Sequence, residues 1–106
     1  MANFKMIDMA TAKNMMSRDE NFVIVDVRSA SEYEAGFIPG AINVALESIG
    51  AECPKELPDR DQEILVYCRS GVRSKMAAEK LANLGYSNVY EFGGIINWDG
   101  EVEVDY

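Results

Sequence analysis

"EILVYCRSGVRSKMAAEKL", residues 63–81, joins an apolar run ending in a cysteine to two arginines, a glycine and then a helical pattern. The run "EILVYC" (63–68) has no polar alternation after its first residue, which is how a strand buried on both faces reads. Ala77, Ala78, Leu81 and Leu84 recur at helical spacing, and Gly85 stands where a C′ residue ends a helix. The stretch therefore predicts a strand, a tight turn and a helix opening near Arg73 or Ser74, with Cys68 at the carboxyl end of the strand. Four uses of that thiol are open on this pattern: a buried filler, a metal ligand, a phosphatase nucleophile or a carrier of sulfur.

Outward from this stretch, strand and helix signals alternate. "FKMI" (4–7) is a short strand, and Asp8 caps a helix whose Met9, Ala12, Met15 and Met16 form a core stripe. "FVIVDV" (22–27) and "AINV" (41–44) read as two more buried strands. Between them, Ser29 and Glu32 spell a capping box for a short helix that Gly36 stops, and Pro39-Gly40 turns the chain. Residues 46–62 hold one short helix and irregular backbone, because Pro54 and Pro58 interrupt anything longer. "NVYEF" (88–92) is the last strand, before Gly93-Gly94 and a helical turn bearing Trp98. Such alternation implies an α/β fold with a largely parallel sheet covered on both faces, whose ligands bind beyond the carboxyl ends of the strands. With no repeat and no linker, residues 1–106 read as one domain.

Composition narrows the chemistry. A formal net charge of -8 argues against binding a nucleic-acid backbone. No apolar run approaches the roughly 20 residues that span a bilayer, and the N-terminus lacks the apolar core of a signal peptide, so a cytoplasmic protein is expected. The chain contains no histidine, which removes Ser-His-Asp and Cys-His sites and every His-containing metal site. Cys53 and Cys68 are too far apart for a CxxC pair, and neither a metal nor a cofactor is expected.

A reactive Cys68 must then be activated by something other than imidazole. In "CRSGVRS" (68–74), Gly71 permits a sharp backbone path, loop N–H groups point inward and the positive end of a helix dipole lies close by. At such a helix N-terminus beside arginines a thiol pKa falls to about 3.5–7.5, making thiolate the main form at neutral pH. The same field stabilises a persulfide anion or an incoming anionic donor.

The segments "VDVRSASEYEAGFIPGAINV" (25–44), "ILVYCRSGVRS" (64–74) and "AAEKLANLGYSNVYEFGGIINW" (77–98), in this order, resemble a rhodanese domain of the sulfurtransferase family. The resemblance covers nearly the whole chain. It implies a mostly parallel five-stranded sheet flanked by helices, and a cysteine that takes a sulfane sulfur from a small anionic donor such as thiosulfate and passes it to a thiol, a protein acceptor or cyanide. It makes Cys68 the nucleophile that becomes a persulfide, and Arg69, Ser70, Gly71, Val72 and Arg73 the binding loop. Asp26 and Arg28 match the family's "DVR" element and are expected to hold the wall of the site by ion pairing. Within the loop, Arg73 is expected to order the backbone and present a rigid fork of donors, and Arg69 to capture the donor. The spacing C-x4-R separates this pattern from related dual-specificity phosphatases, whose C-x5-R loop holds a phosphate; a small phosphatase and a non-catalytic binding module are the alternatives.

Phe37 stands where many relatives have histidine, a change expected to affect packing at the turn, and the ending "DGEVEVDY" (99–106) departs from the family's glycine-and-proline ending. Cys53 has two readings, a resolving thiol for Cys68 or a partly buried loop cysteine. Trp98 likewise either walls the pocket or packs in the core.

Overall fold

Strands too apolar to face water on either side have to be stacked side by side under helices. In the computed structural model, which describes residues 3–18 and 21–104, the chain does this with five strands and three α-helices. They are β1 (Lys5–Met6), α1 (Met9–Arg18), β2 (Phe22–Asp26), α2 (Ala30–Ala35), β3 (Ile42–Asn43), β4 (Glu63–Cys68), α3 (Val72–Asn83) and β5 (Asn88–Gly94). The sheet order is β1-β5-β4-β2-β3, and every neighbouring pair is parallel.

The strand with the most continuous apolar run, β4, occupies the centre between β2 and β5. Its alternation serves two cores. Ile64, Val66 and Cys68 join Val25, Val89 and the α3 residues Ala77, Ala78 and Leu81 on one face. Leu65 and Tyr67 join Ile24, Phe92 and the α1 residues Ala12 and Met15 on the other. Each fully buried aliphatic side chain contributes about 1.5–3 kcal/mol, so both layers are needed to hold the sheet.

The expected parallel five-stranded sheet forms, and among the described residues it is parallel throughout; the antiparallel Phe37–Glu103 bridge lies outside the strands, and the last two residues of "DGEVEVDY" lie outside the described residues. Two expectations change. The "AINV" strand is not a buried interior strand: β3 is two residues long, half-buried and at the sheet edge, since strand order cannot be read from apolarity. Helix α3 begins at Val72, earlier than Arg73 or Ser74, with Gly71 as its N-cap at φ +107°.

The capping box of α2 forms: the Glu32 backbone N–H donates to Ser29 Oγ at 3.3 Å, and the Ser29 N–H donates to Glu32 Oε1 at 3.2 Å. At the ends of β2 and β4 a fully buried Asp26 carboxylate collects the Arg28 guanidinium, with NH2 at 2.7 Å, and the Tyr67 hydroxyl at 2.6 Å. Arg28 also donates to the Gly36 carbonyl at 2.6 Å, and the Ile38 N–H donates to the Tyr67 oxygen at 3.1 Å. Burial alone would lower the Arg28 pKa, but Asp26 more than offsets it; burial and then Asp26 push the Tyr67 phenol far above its ordinary value. One carboxylate thereby ties two strands to the α2 loop.

Removing it strands a buried cation. Asp26→Ala is expected to destabilise the fold by about 3–5 kcal/mol, and Tyr67→Phe, which removes one hydrogen bond to that carboxylate, by about 1–3 kcal/mol. Equilibrium denaturation of both variants checks the magnitudes and their order.

Candidate active site

Cys68 ends the central strand with 1% of its surface exposed. The β4–β5 register shifts after Val66, so that Cys68 comes opposite Gly94. This shift carries the loop across β5 at very short range: a Cβ on Gly94 would lie 2.0 Å from the Arg69 carbonyl oxygen and 2.6 Å from the Ser70 Cα. Only glycine fits there. The Ile96 N–H then donates to the Arg69 carbonyl at 3.3 Å, fastening the loop from the other side.

Held in this way, Gly71 takes its positive φ and aims its N–H at the sulfur, donating to Cys68 Sγ at 3.0 Å. From the first turn of α3, Ser74 brings its hydroxyl within 3.4 Å of the same atom. Burial pushes the thiol pKa up, yet it is outweighed by the Ser74 hydroxyl and the backbone N–H groups of Ser74, Gly71 and Ser70, which leave it below the usual cysteine value. A hydroxyl and amides lead this effect, and of the nearby arginines Arg73 feels the sulfur as a charge.

The loop residues separate. Arg69 and Ser70 are exposed, and Val72, expected in the loop, is the first residue of α3 and 67% exposed. Arg73 lies in the helix, and its fork is committed: NH1 and NH2 donate to Glu32 Oε1 and Oε2 at 2.6 and 2.9 Å. That bidentate pair joins α2 to the start of α3 and, first among several causes, holds the Glu32 carboxyl down to about 2. Asp26 and Arg28 form the expected ion pair, but Asp26 shares its side of β2 with Ile24, so its carboxylate lies on the sheet face opposite that of the Cys68 side chain.

Cys53 sits far from Cys68. Its sulfur accepts from Arg60 Nε at 3.3 Å, which leads in lowering its pKa, and lies against the Leu84 carbonyl at the C-terminal end of α3. The 12 residues of α3 separate the two thiols by about 18 Å, which excludes direct exchange within the chain. Trp98 packs with Met16, Phe22, Ile38 and Pro39 around an apolar cleft of about 380 Å³ on the α1 face, away from the sulfur. Phe37 stacks on Tyr33 with ring centroids 4.2 Å apart.

Sequence reasoning passes over three residues that the fold brings to this site: Ser74, Glu32 and Glu91. The Ser74 hydroxyl donates to the buried Glu91 Oε2 at 2.6 Å, and the Gly93 N–H donates to the same oxygen at 2.7 Å. A signal for Glu91 existed, since "NVYEF" places it two residues from Val89 on a buried face. For the Arg73–Glu32 pair, 41 residues apart, there was none.

Comparison with known proteins agrees with this fold. Residues 8–101 match the family model described as "Rhodanese-like domain". The chain is 33% identical over 99 residues to the putative sulfurtransferase YtwF of Bacillus subtilis, covering 93% of this chain and 94% of that protein. It is 34% identical over 71 residues to the thiosulfate sulfurtransferase PspE of Escherichia coli, covering 67% of this chain and 68% of that protein. The solved structure of a rhodanese-like domain protein from Staphylococcus aureus superposes with a TM-score of 0.80 at 29% identity, covering 97% of this chain and all of that one. With a match over so much of its length, and with the sheet order and thiol loop described above, the chain belongs to the rhodanese-like domain family.

Proposed function

We propose that this protein is a sulfurtransferase that carries sulfur on Cys68 by double displacement. The observation that carries the reading is the Cys68 sulfur at the end of β4, met by the Gly71 N–H at 3.0 Å and the Ser74 hydroxyl at 3.4 Å, with its pKa below the usual thiol value. The name of the E. coli relative supports thiosulfate as the donor class. The Cys68 thiolate attacks the sulfane sulfur, a persulfide anion forms and sulfite leaves. A thiol or cyanide then attacks the outer sulfur and Cys68 returns as thiolate. The loop amides stabilise the anion at both stages without reorganising. Both cysteines are free, and the reduced thiol fits a cytoplasmic setting.

Exposed Arg69 is the cation that captures an anionic donor on an acidic chain, and Arg73 works indirectly by clamping Glu32 and so fixing the start of α3. Thiosulfate:cyanide transfer and intact-protein mass spectrometry on wild type and Cys68→Ser test the proposal. Persulfide and turnover are expected only in the wild type, and equal activity in both proteins would overturn it. Turnover of an aryl phosphate that depends on Cys68, without a persulfide, would favour the phosphatase instead.

Arg73→Lys keeps the charge but loses the bidentate fork, and is expected to lower sulfur transfer about tenfold, a change of about 1.4 kcal/mol. Arg69→Ala is expected to raise KM for thiosulfate with little change in kcat, and added salt to mimic it in the wild type. Steady-state kinetics of both variants across a salt series give the comparison.

The Arg73–Glu32 clamp also predicts a pH dependence. Because folding depresses the Glu32 pKa from 4.5 to about 2, its stabilisation is present above the unfolded value and is lost as pH falls through the folded one. Thermal melts are expected to show the advantage of wild type over Glu32→Gln at neutral pH shrinking from pH 4.5 down to about 2.

A further inference from the structure

Glu91 is a carboxylate in an expensive place. It is 2% exposed on β5, and among the described residues no lysine or arginine forms an ion pair with it. Burying such a group without a cation is costly unless hydrogen bonds hold it, and here two donors converge on Oε2: the Gly93 N–H at 2.7 Å and the Ser74 hydroxyl at 2.6 Å. Ser74 has one proton and three acceptors in reach, since the Gly93 carbonyl lies at 3.3 Å and Cys68 Sγ at 3.4 Å. The shortest bond takes it. Ser74 then turns a lone pair toward Cys68, whose S–H donates to Oγ, and an unbroken line of two hydrogen bonds runs from the sulfur to the carboxylate.

We propose that Glu91 is a positioning residue for Cys68, acting through Ser74. This rests on Cys68 being the reactive thiol. Glu91 Oε2 fixes the direction of the Ser74 O–H, so a thiolate forming on Cys68 competes with the carboxylate for that one hydroxyl proton. The proton stays on Ser74 throughout, and no bond is made or broken at Glu91.

The surroundings leave this line as the short path. Arg73 of α3 feels the Cys68 charge, but its fork stays on Glu32 of α2. Asp26 and Arg28 of β2 are paired with one another, and Tyr67 of β4 donates to Asp26 on the other face of the sheet. Lys75 beside Ser74 and Arg69 of the loop are exposed, and β1 sets Met6 against Glu91 with Lys5 exposed.

The test is an ultraviolet thiolate titration in a Cys53→Ser background, with the Cys53→Ser/Cys68→Ser protein as the blank. The thiolate step of Glu91→Gln is expected about 1–2 pH units below that of the parent, because the Ser74 hydroxyl is released to the sulfur and a like charge has been removed. In a Ser74→Ala background the effect of Glu91→Gln is expected to shrink to less than half. A Glu91→Gln titration that superposes on the parent, or a shift undiminished in Ser74→Ala, overturns the proposal. Should Glu91→Gln fail to fold by circular dichroism, Ser74→Ala alone decides: its thiolate step moves up if the hydroxyl serves the sulfur, and an unmoved step overturns the proposal. The titration reads no sulfur transfer, so a parent without persulfide whose thiolate step still shifts in Glu91→Gln sinks the transferase reading and leaves the positioning role standing.

Discussion

The approach of Gly94 to the backbone of Arg69 and Ser70 is the constraint on which the site depends. A sheet normally keeps its neighbouring strands about 4.8 Å apart with side chains between layers, and a loop leaving the central strand would swing clear of the next one. Here a β-carbon on Gly94 would fall 2.0 Å from a carbonyl oxygen, so the loop rests directly on the backbone of β5. Contact at that range sets the direction of the Gly71 N–H, and the Gly71 N–H meets the sulfur. The backbone share of the thiol's electrostatics is therefore a result of sterics at Gly94, and the Ser74 hydroxyl adds to it from the first turn of α3.

Around that contact the molecule uses three carboxylates in three ways. Asp26 is wholly buried and saturated by an arginine and a phenol, which makes it a structural knot. Glu32 is about a third exposed; both of its oxygens accept from Arg73, and Oε1 also closes the cap of α2. Glu91 is buried with hydrogen bonds but no cation. The difference lies in what each has to neutralise it, and the environments are set by strand position: Asp26 and Glu91 stand on opposite faces of one sheet, while Glu32 spans the gap between two helices.

Much of this was legible in advance. The unbroken apolarity of "EILVYC" placed Cys68 at the end of a buried strand, Ser29 and Glu32 announced their capping box, and Gly85 ended α3 as expected. What failed to read was whatever depends on sheet order or on distant partners. "AINV" is as apolar as an interior strand, yet it lies at the edge, half-buried and paired with β2. Arg73 read as a residue that orders the loop with a rigid fork, but the acceptor of that fork did not read, because it stands 41 residues away on a helix whose placement local sequence does not encode. Glu91 was marked by alternation alone, and an acidic residue in a buried register is the kind of local conflict that signals a functional or strained position.

The distance between the two cysteines sets how this molecule meets its surroundings. With a whole helix between them, Cys68 and Cys53 cannot close on one another, so oxidation does not lock the chain into an internal disulfide. Under the proposed function, a sulfur carried on Cys68 likewise has no outlet to Cys53. Its residence time is set by collisions with other molecules, and the rate at which such a protein empties becomes a measure of the concentration and reach of its acceptors rather than of its own clock.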